Sequence, residues 1–219
     1  MSLFRLLLRK KQSKGHGIHS PFAFDIITNV LHPQYSYYSF TDIPENFPYS
    51  KGESKKIKKF NHLSFRLVNH FNATNILEIN PGNGLNTLYI KAPSSKINYK
   101  AAIGIDIGLN LIEKAEGVSA GNVNNVAKDI EEEQSVKKQN YDAIFINITD
   151  DDNSIPSIEM LLEISKENTF WVINPINTKH GKHFCKLIVN HERVSVSFDT
   201  NNTLIAFIRR AYYKQHYFV

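Results

Sequence analysis

One cysteine, Cys185, stands in 219 residues, so no internal disulfide can form. That absence points to a reducing cytoplasm. No apolar run approaches the roughly 18 residues that cross a bilayer, so no membrane span is expected. The patch Leu6-Leu-Leu8 is too short for a secretory core, and the opening segment reads as a short amphipathic helix or a frayed basic tail. Repeats and low-complexity tracts are lacking. His16 and His19 stand three apart with no second Cys/His pair, which argues against a zinc site. Ser20 has no triad signature around it, and capping of the next helix accounts for it.

Acidic residues are missing from positions 1–14, which hold five basic ones, and residues 51–59 carry five Lys against one Glu. Those nine excess positive charges exceed the net +5, so the remainder carries about −4. Basic solvated segments attached to a mildly acidic body argue against nucleic acid as the partner. RNA contact through those segments is the lesser alternative. A hydrophobic content of 42% and a charged content of 21% suit one α/β domain with an appendage.

Ser20-Pro21 predicts an N-cap with proline at the first helical position, opening a helix over Phe22–Leu31 that Pro33 stops. An aromatic stretch follows, with Tyr35, Tyr37, Tyr38 and Phe40, which fits packing under a lid better than stacking on a ligand. Thr41 to about Lys59 reads as a linker, dividing residues 1–59 from a main domain over 60–219. Helical spacing marks residues 60–71. Strands are expected at 76–79, 101–105, 123–127, 141–146, 169–173, 194–198 and 203–209. Helices are expected at 85–90, 109–116, 155–165 and 183–191. Asp199-Thr-Asn-Asn202 forms the turn of a closing hairpin. Strands separated by helices predict a mostly parallel sheet covered on both faces.

The most informative stretch is Asn75-Ile-Leu-Glu-Ile-Asn-Pro-Gly-Asn-Gly-Leu-Asn-Thr87. An apolar strand leads through Glu78 into a turn carrying Gly82 and Gly84, and a helix follows. Glycine lets the backbone approach a nucleotide closely, and the helix start offers unpaired N–H donors. Asp106 lies 22 residues after Gly84, close to the spacing of a ribose-binding carboxylate. The third glycine of the dinucleotide fingerprint is missing after Gly84, which speaks against an NAD dehydrogenase.

This order of elements resembles the class I S-adenosylmethionine-dependent methyltransferases, whose seven-stranded Rossmann-like sheet has an antiparallel hairpin strand. More narrowly, Gly15-His-Gly-Ile-His-Ser-Pro-Phe22, Tyr37-Tyr-Ser-Phe40 and Lys214-Gln-His-Tyr-Phe218 resemble a bacterial group related to the O-methyltransferases. The resemblance implies S-adenosylmethionine as cofactor. It places Glu78, Asn80, Pro81, Gly82, Asn83 and Gly84 by the methionine part, Asp106 and Ile107 by the ribose, and Asp129 near the adenine. Asn147 falls below the methyl-transfer site.

Three departures accompany the resemblance. Asn80 replaces the first glycine of the expected turn, a substitution that weakens binding without abolishing it. Asn147 and Asn174-Pro175 stand where metal-dependent relatives carry acids, so no catalytic metal is expected. Asp150, Asp151 and Asp152 read as a solvated acidic loop, with a substitute metal cluster as the alternative. Asp150 and His180 are the candidate bases, by position alone. The expected activity is metal-independent methyl transfer to an oxygen or nitrogen of a small-molecule acceptor. The rival is a relative that keeps the fold without catalysis.

Overall fold

In a computed structural model of the chain, the described residues are 3–47, 52, 54–103, 140–149 and 155–219. The expected strand at 123–127 and helix at 109–116 lie outside them. Helix α1 (Leu3–Gln12) opens the chain, and α2 (Pro21–Asp25) follows. The Ser20 hydroxyl accepts from Ala23 N at 3.2 Å, the cap that the sequence predicts. The expected single helix then changes register, because Ile26–Leu31 is π-helical. Thr28 explains this locally: its hydroxyl donates to the Phe24 carbonyl at 2.9 Å and competes for the acceptor of the regular ladder.

The reading of 41–59 as linker is corrected at both ends. Ser39–Asn46 forms α3, held down by Ile43, which buries beside Phe65, Leu85 and Tyr89. Helix α4 (Lys55–Phe71) starts five residues before the expected 60, with the Ser54 hydroxyl accepting from Ile57 N at 3.3 Å. It runs through the boundary drawn at residue 60. Tyr37 and Phe40 pack on Phe65, with ring centroids 4.8 and 5.2 Å away, and Phe40 stacks on His62 at 3.7 Å. Tyr35 and Tyr38 are exposed.

From β1 (Asn75–Ile79) the chain alternates through α5 (Leu85–Lys91), β2 (Asn98–Ala102), β3 (Tyr141–Asn147), α6 (Ile158–Glu163), β4 (Ser165–Asn174) and α7 (Lys179–Asn190). It ends in β5 (Val196–Asp199), β6 (Leu204–Phe207) and β7 (Gln215–Phe218). These make one seven-stranded sheet ordered β2-β1-β3-β4-β6-β5-β7. Only β6 runs against the rest, pairing antiparallel with both β4 and β5. This is the expected Rossmann-like, mostly parallel sheet. Its edge strand β7 was not among the expected strands. Four residues pair with β5 there, and α1 clamps them: Gln12 accepts from Phe218 N at 2.8 Å, and Arg9 reaches Asp199 and the Val219 carbonyl.

Alternation along the central strands feeds two cores. Ile76, Phe145, Phe170, Val172 and Phe207 meet α2, the π-helical turn and α4 on one face. Leu77, Ile144, Trp171 and Ile173 meet α6 and α7 on the other. Ala23, Ile26, Ile27 and Val30 of the N-terminal segment belong to the first of these cores. Each large side chain fully buried there contributes about 1.5–3 kcal/mol by area removed from water.

Candidate functional site

Strand β1 pairs with β2 on one side and β3 on the other, so the chain reverses its order of advance at the β1–β3 boundary. Loops diverge at such a boundary and leave a crevice beyond the carboxyl ends of the strands. A cleft of about 290 Å³ lies there, walled by the turn after β1, the ends of β3 and β4, and the first turns of α4.

The turn is built by three left-handed residues. Asn80, Gly82 and Gly84 have φ of 56°, 62° and 75°. Asn80 N donates to the Ala102 carbonyl at 2.8 Å and its side-chain amide to the Asn147 carbonyl at 3.2 Å, which ties the turn to both neighbouring strands. Nothing stands within 4 Å of where a Cβ would project from Gly82 or Gly84. Glycine serves the backbone angle there and leaves the main chain bare toward open space. Asn83 caps the bend by accepting from Leu85 N at 3.2 Å.

Beneath the cleft lies Glu78, fully buried. Its carboxylate takes four side-chain contacts: Asn86 at 2.8 Å and Asn147 at 3.2 Å on one oxygen, Thr87 at 2.6 Å and Tyr99 at 2.8 Å on the other. Both hydroxyls donate their single proton to the acid, so the 3.0 Å approach of Thr87 to Tyr99 is not a further bond. Burial first, and then the nearby Glu78, push the Tyr99 phenol well above its usual range and keep it a donor. Among the described residues no lysine or arginine pairs with Glu78; neutral donors satisfy it.

Asn86 joins this network to the cleft wall. With its amide nitrogen committed to Glu78, its oxygen is buried and has no hydrogen-bond partner among the described residues. A buried acceptor left open calls for a donor. Asn174 sits across the cleft with its oxygen already taken, by Asn202 at 2.8 Å and Thr203 at 3.0 Å.

The structure thus brings Asn80, Pro81, Gly82, Asn83 and Asn147 to one wall, with Gly84 in the same turn and Glu78 behind it. Asp106, Ile107, Asp129 and Asp150 lie outside the described residues. His180 is elsewhere: it lines a wider groove of about 770 Å³ between α6 and α7, with His183, Leu187 and His191. That groove is larger than the cleft but lies away from the glycine turn, and the switch point marks the cleft as the candidate site. Among the described residues no three His, Cys, Asp or Glu side chains gather as metal ligands would. No helix among them is long and apolar enough to cross a membrane. Cys185 in α7 has its thiol pushed up to about 12, by burial and then by Asp199.

Sequence reasoning missed Asn86, Ile57, Phe60, Asn61 and Thr149 on the wall. Asn86 carried one signal, as a polar residue two positions after Gly84 on a helix that must face the core. Ile57 carried none, because it fell in the stretch read as linker; Phe60 and Asn61 lay in the expected helix over 60–71, with no signal that they face a cleft.

No protein-family model matches the chain, and no curated protein does. Several solved structures resemble it. An O-methyltransferase from Bacillus cereus in complex with SAH shares 14% identity at a TM-score of 0.44, covering 80% of this chain and 93% of that one. The O-methyltransferase TomG from Streptomyces achromogenes, involved in tomaymycin synthesis and in complex with SAM, shares 9% at 0.43, covering 80% and 91%. The SAH-bound methyltransferase PaMTH1 from Podospora anserina shares 10% at 0.43, covering 83% and 88%. Overlap this loose leaves the site to be judged on its own geometry.

Proposed function

We propose that the chain is an S-adenosylmethionine-dependent methyltransferase acting on an oxygen or nitrogen of a small-molecule acceptor, without a catalytic metal. The observation that carries this reading is the bare glycine turn opening on a cleft at the switch point of the sheet. The residues fit the cofactor at one further place. The open oxygen of Asn86 accepts a donor, which suits the ammonium of an amino-acid moiety. A volume of about 290 Å³ is at the small end for ligand pockets and suits that moiety. The ribose hydroxyls are assigned to Asp106 with Ile107, four and five residues beyond the end of β2, and the adenine to Asp129.

When bound, the cofactor supplies a methyl group already activated on a sulfonium. The chain then has to align the acceptor and exclude water. Glu78 locks the rotamers of Asn86 and Asn147 from behind, while Ile57 and Phe60 supply apolar wall. The wall offers amides at Asn147 and Asn174 in place of carboxylates, a poor ligand set for a hard divalent cation. No carboxylate or histidine stands among the described residues of the wall. The proton acceptor is therefore assigned to Asp150, three residues past the end of β3, or to an acceptor that ionises by itself.

That same lack of a base favours a second reading, a fold that binds the cofactor or its demethylated product without turnover. Calorimetry with S-adenosylmethionine and S-adenosylhomocysteine separates the two. Methyl transfer predicts micromolar binding, weakened about tenfold or more by Asp106→Ala, and turnover on a panel of phenols and amines. Binding without turnover selects the second reading. If neither ligand binds and Asp106→Ala changes nothing, the cofactor assignment is wrong and only a fold without catalysis remains.

A further inference from the structure

The lysines that the sequence presents as a solvated run have a second use. Lys56, Lys59, Leu63 and Arg66 recur at spacings of three and four, so they share one stripe of α4. That stripe faces the turn between β5 and β6 and the segment after β4, and together they enclose a pocket of about 530 Å³. His32 lines it beside the cations, Phe60 and Leu63 give it apolar surface, and Asn177 and Asn202 line the opposite edge.

One observation asks for an anion, and a second says where its molecule extends. Arg66 is half-buried, and its one hydrogen bond among the described residues is from Nε to the Val30 carbonyl, at 2.6 Å. Among the described residues no carboxylate pairs with Arg66, Lys56 or Lys59. Burial holds the Arg66 guanidinium down at about 10, and burial followed by Arg66 and Lys59 pushes the His32 imidazole down. A desolvated cation without a counter-charge is costly unless a ligand supplies one. The second observation is adjacency. Phe60 walls both the pocket and the cleft, and Asn174 of the cleft bonds to Asn202 and Thr203 of the pocket.

We infer that this pocket binds the anionic group, a phosphate or paired carboxylates, of a small aromatic or aliphatic molecule whose other end reaches the cleft. Resting on the methyl-transfer reading, that molecule is the acceptor. The enclosed shape and apolar wall suit a small molecule better than a polymer backbone.

Titration calorimetry with phenyl phosphate, phthalate and benzyl alcohol tests this, with S-adenosylmethionine measured separately. Phenyl phosphate or phthalate should bind while benzyl alcohol does not, and whichever binds more tightly identifies the anionic group. Lys59→Gln should weaken that binding about tenfold, and Lys56→Gln with Lys59→Gln further. Both positions are exposed, so the fold is not at stake; Arg66→Lys serves as a check that keeps the charge but loses the planar fork. S-adenosylmethionine binding should be the same in all variants. Anion binding without cofactor binding would keep the pocket and reject the methyl-transfer reading. Cofactor binding with no anion binding, or anion binding indifferent to Lys56 and Lys59, would overturn the pocket alone. Tighter binding of a ten-nucleotide single strand than of phenyl phosphate would also overturn it.

Discussion

Gly181 sits in the first turn of α7, where Gly181→Ala would ordinarily help. Alanine favours a helix interior over glycine by about 1 kcal/mol. Here a Cβ would overlap the Pro175 carbonyl oxygen and stand 2.9 Å from both Ile176 Cα and the Thr178 hydroxyl. Two of those atoms are backbone and cannot swing aside. The third is the N-cap, which accepts from Gly181 N at 3.0 Å. Overpacking against such neighbours costs up to about 3 kcal/mol, so the net loss is about 2 kcal/mol after the gain in propensity. For a chain of this size that lowers the melting temperature by about 4–8 °C. Circular dichroism on heating, paired with urea unfolding, measures it. Gly82→Asn is the control: its Cβ meets nothing, asparagine tolerates the backbone angle, and the loss should stay under about 1 kcal/mol. A Gly181→Ala variant as stable as the parent would refute the packing described for α7.

Two further outcomes are expected. Tyr99→Phe removes one of four donors to a buried carboxylate and should cost about 1.5–3 kcal/mol in urea unfolding; a loss below about 0.5 kcal/mol would mean Glu78 does not depend on it. His62 is held down at about 4, by burial first and then by Arg66 and Lys58. Its folded value lies below the unfolded 6.5, so its contribution is full above 6.5 and is lost as pH falls from there through about 4. An imidazole titration by NMR should give a midpoint near 4, and one near 6.5 would refute the burial of this ring against Phe40.

The parallel sheet was legible because its central strands are short apolar runs between helical segments, and burial on both faces leaves that mark. The glycine turn was legible because few sequences need Asn80, Gly82 and Gly84 so close together. The start of α4 was not, since Lys55, Lys56, Lys58 and Lys59 look like any solvated run until Ser54 caps them and Phe60 anchors them. Strand β7 was hidden for another reason: Gln12, some 200 residues away, holds Phe218, and Arg9 holds the neighbouring Asp199 and Val219. The placement of His180 depends on how α7 docks, and Gly181 sets that through space rather than through any pattern along the chain. The open oxygen of Asn86 appears only when all the partners of Glu78 are known.

The position of β6 has a consequence for truncated chains. It is made after β5 yet lies between β4 and β5, so β5 has no place in the sheet until residues 204–207 emerge. A released chain that ends before Leu204 leaves the flank of β4 unpaired, with Phe170, Trp171, Val172 and Ile173 in a row. Such a flank is a template for pairing with other chains. A chain truncated just before Leu204 is therefore expected to aggregate more readily than the full chain.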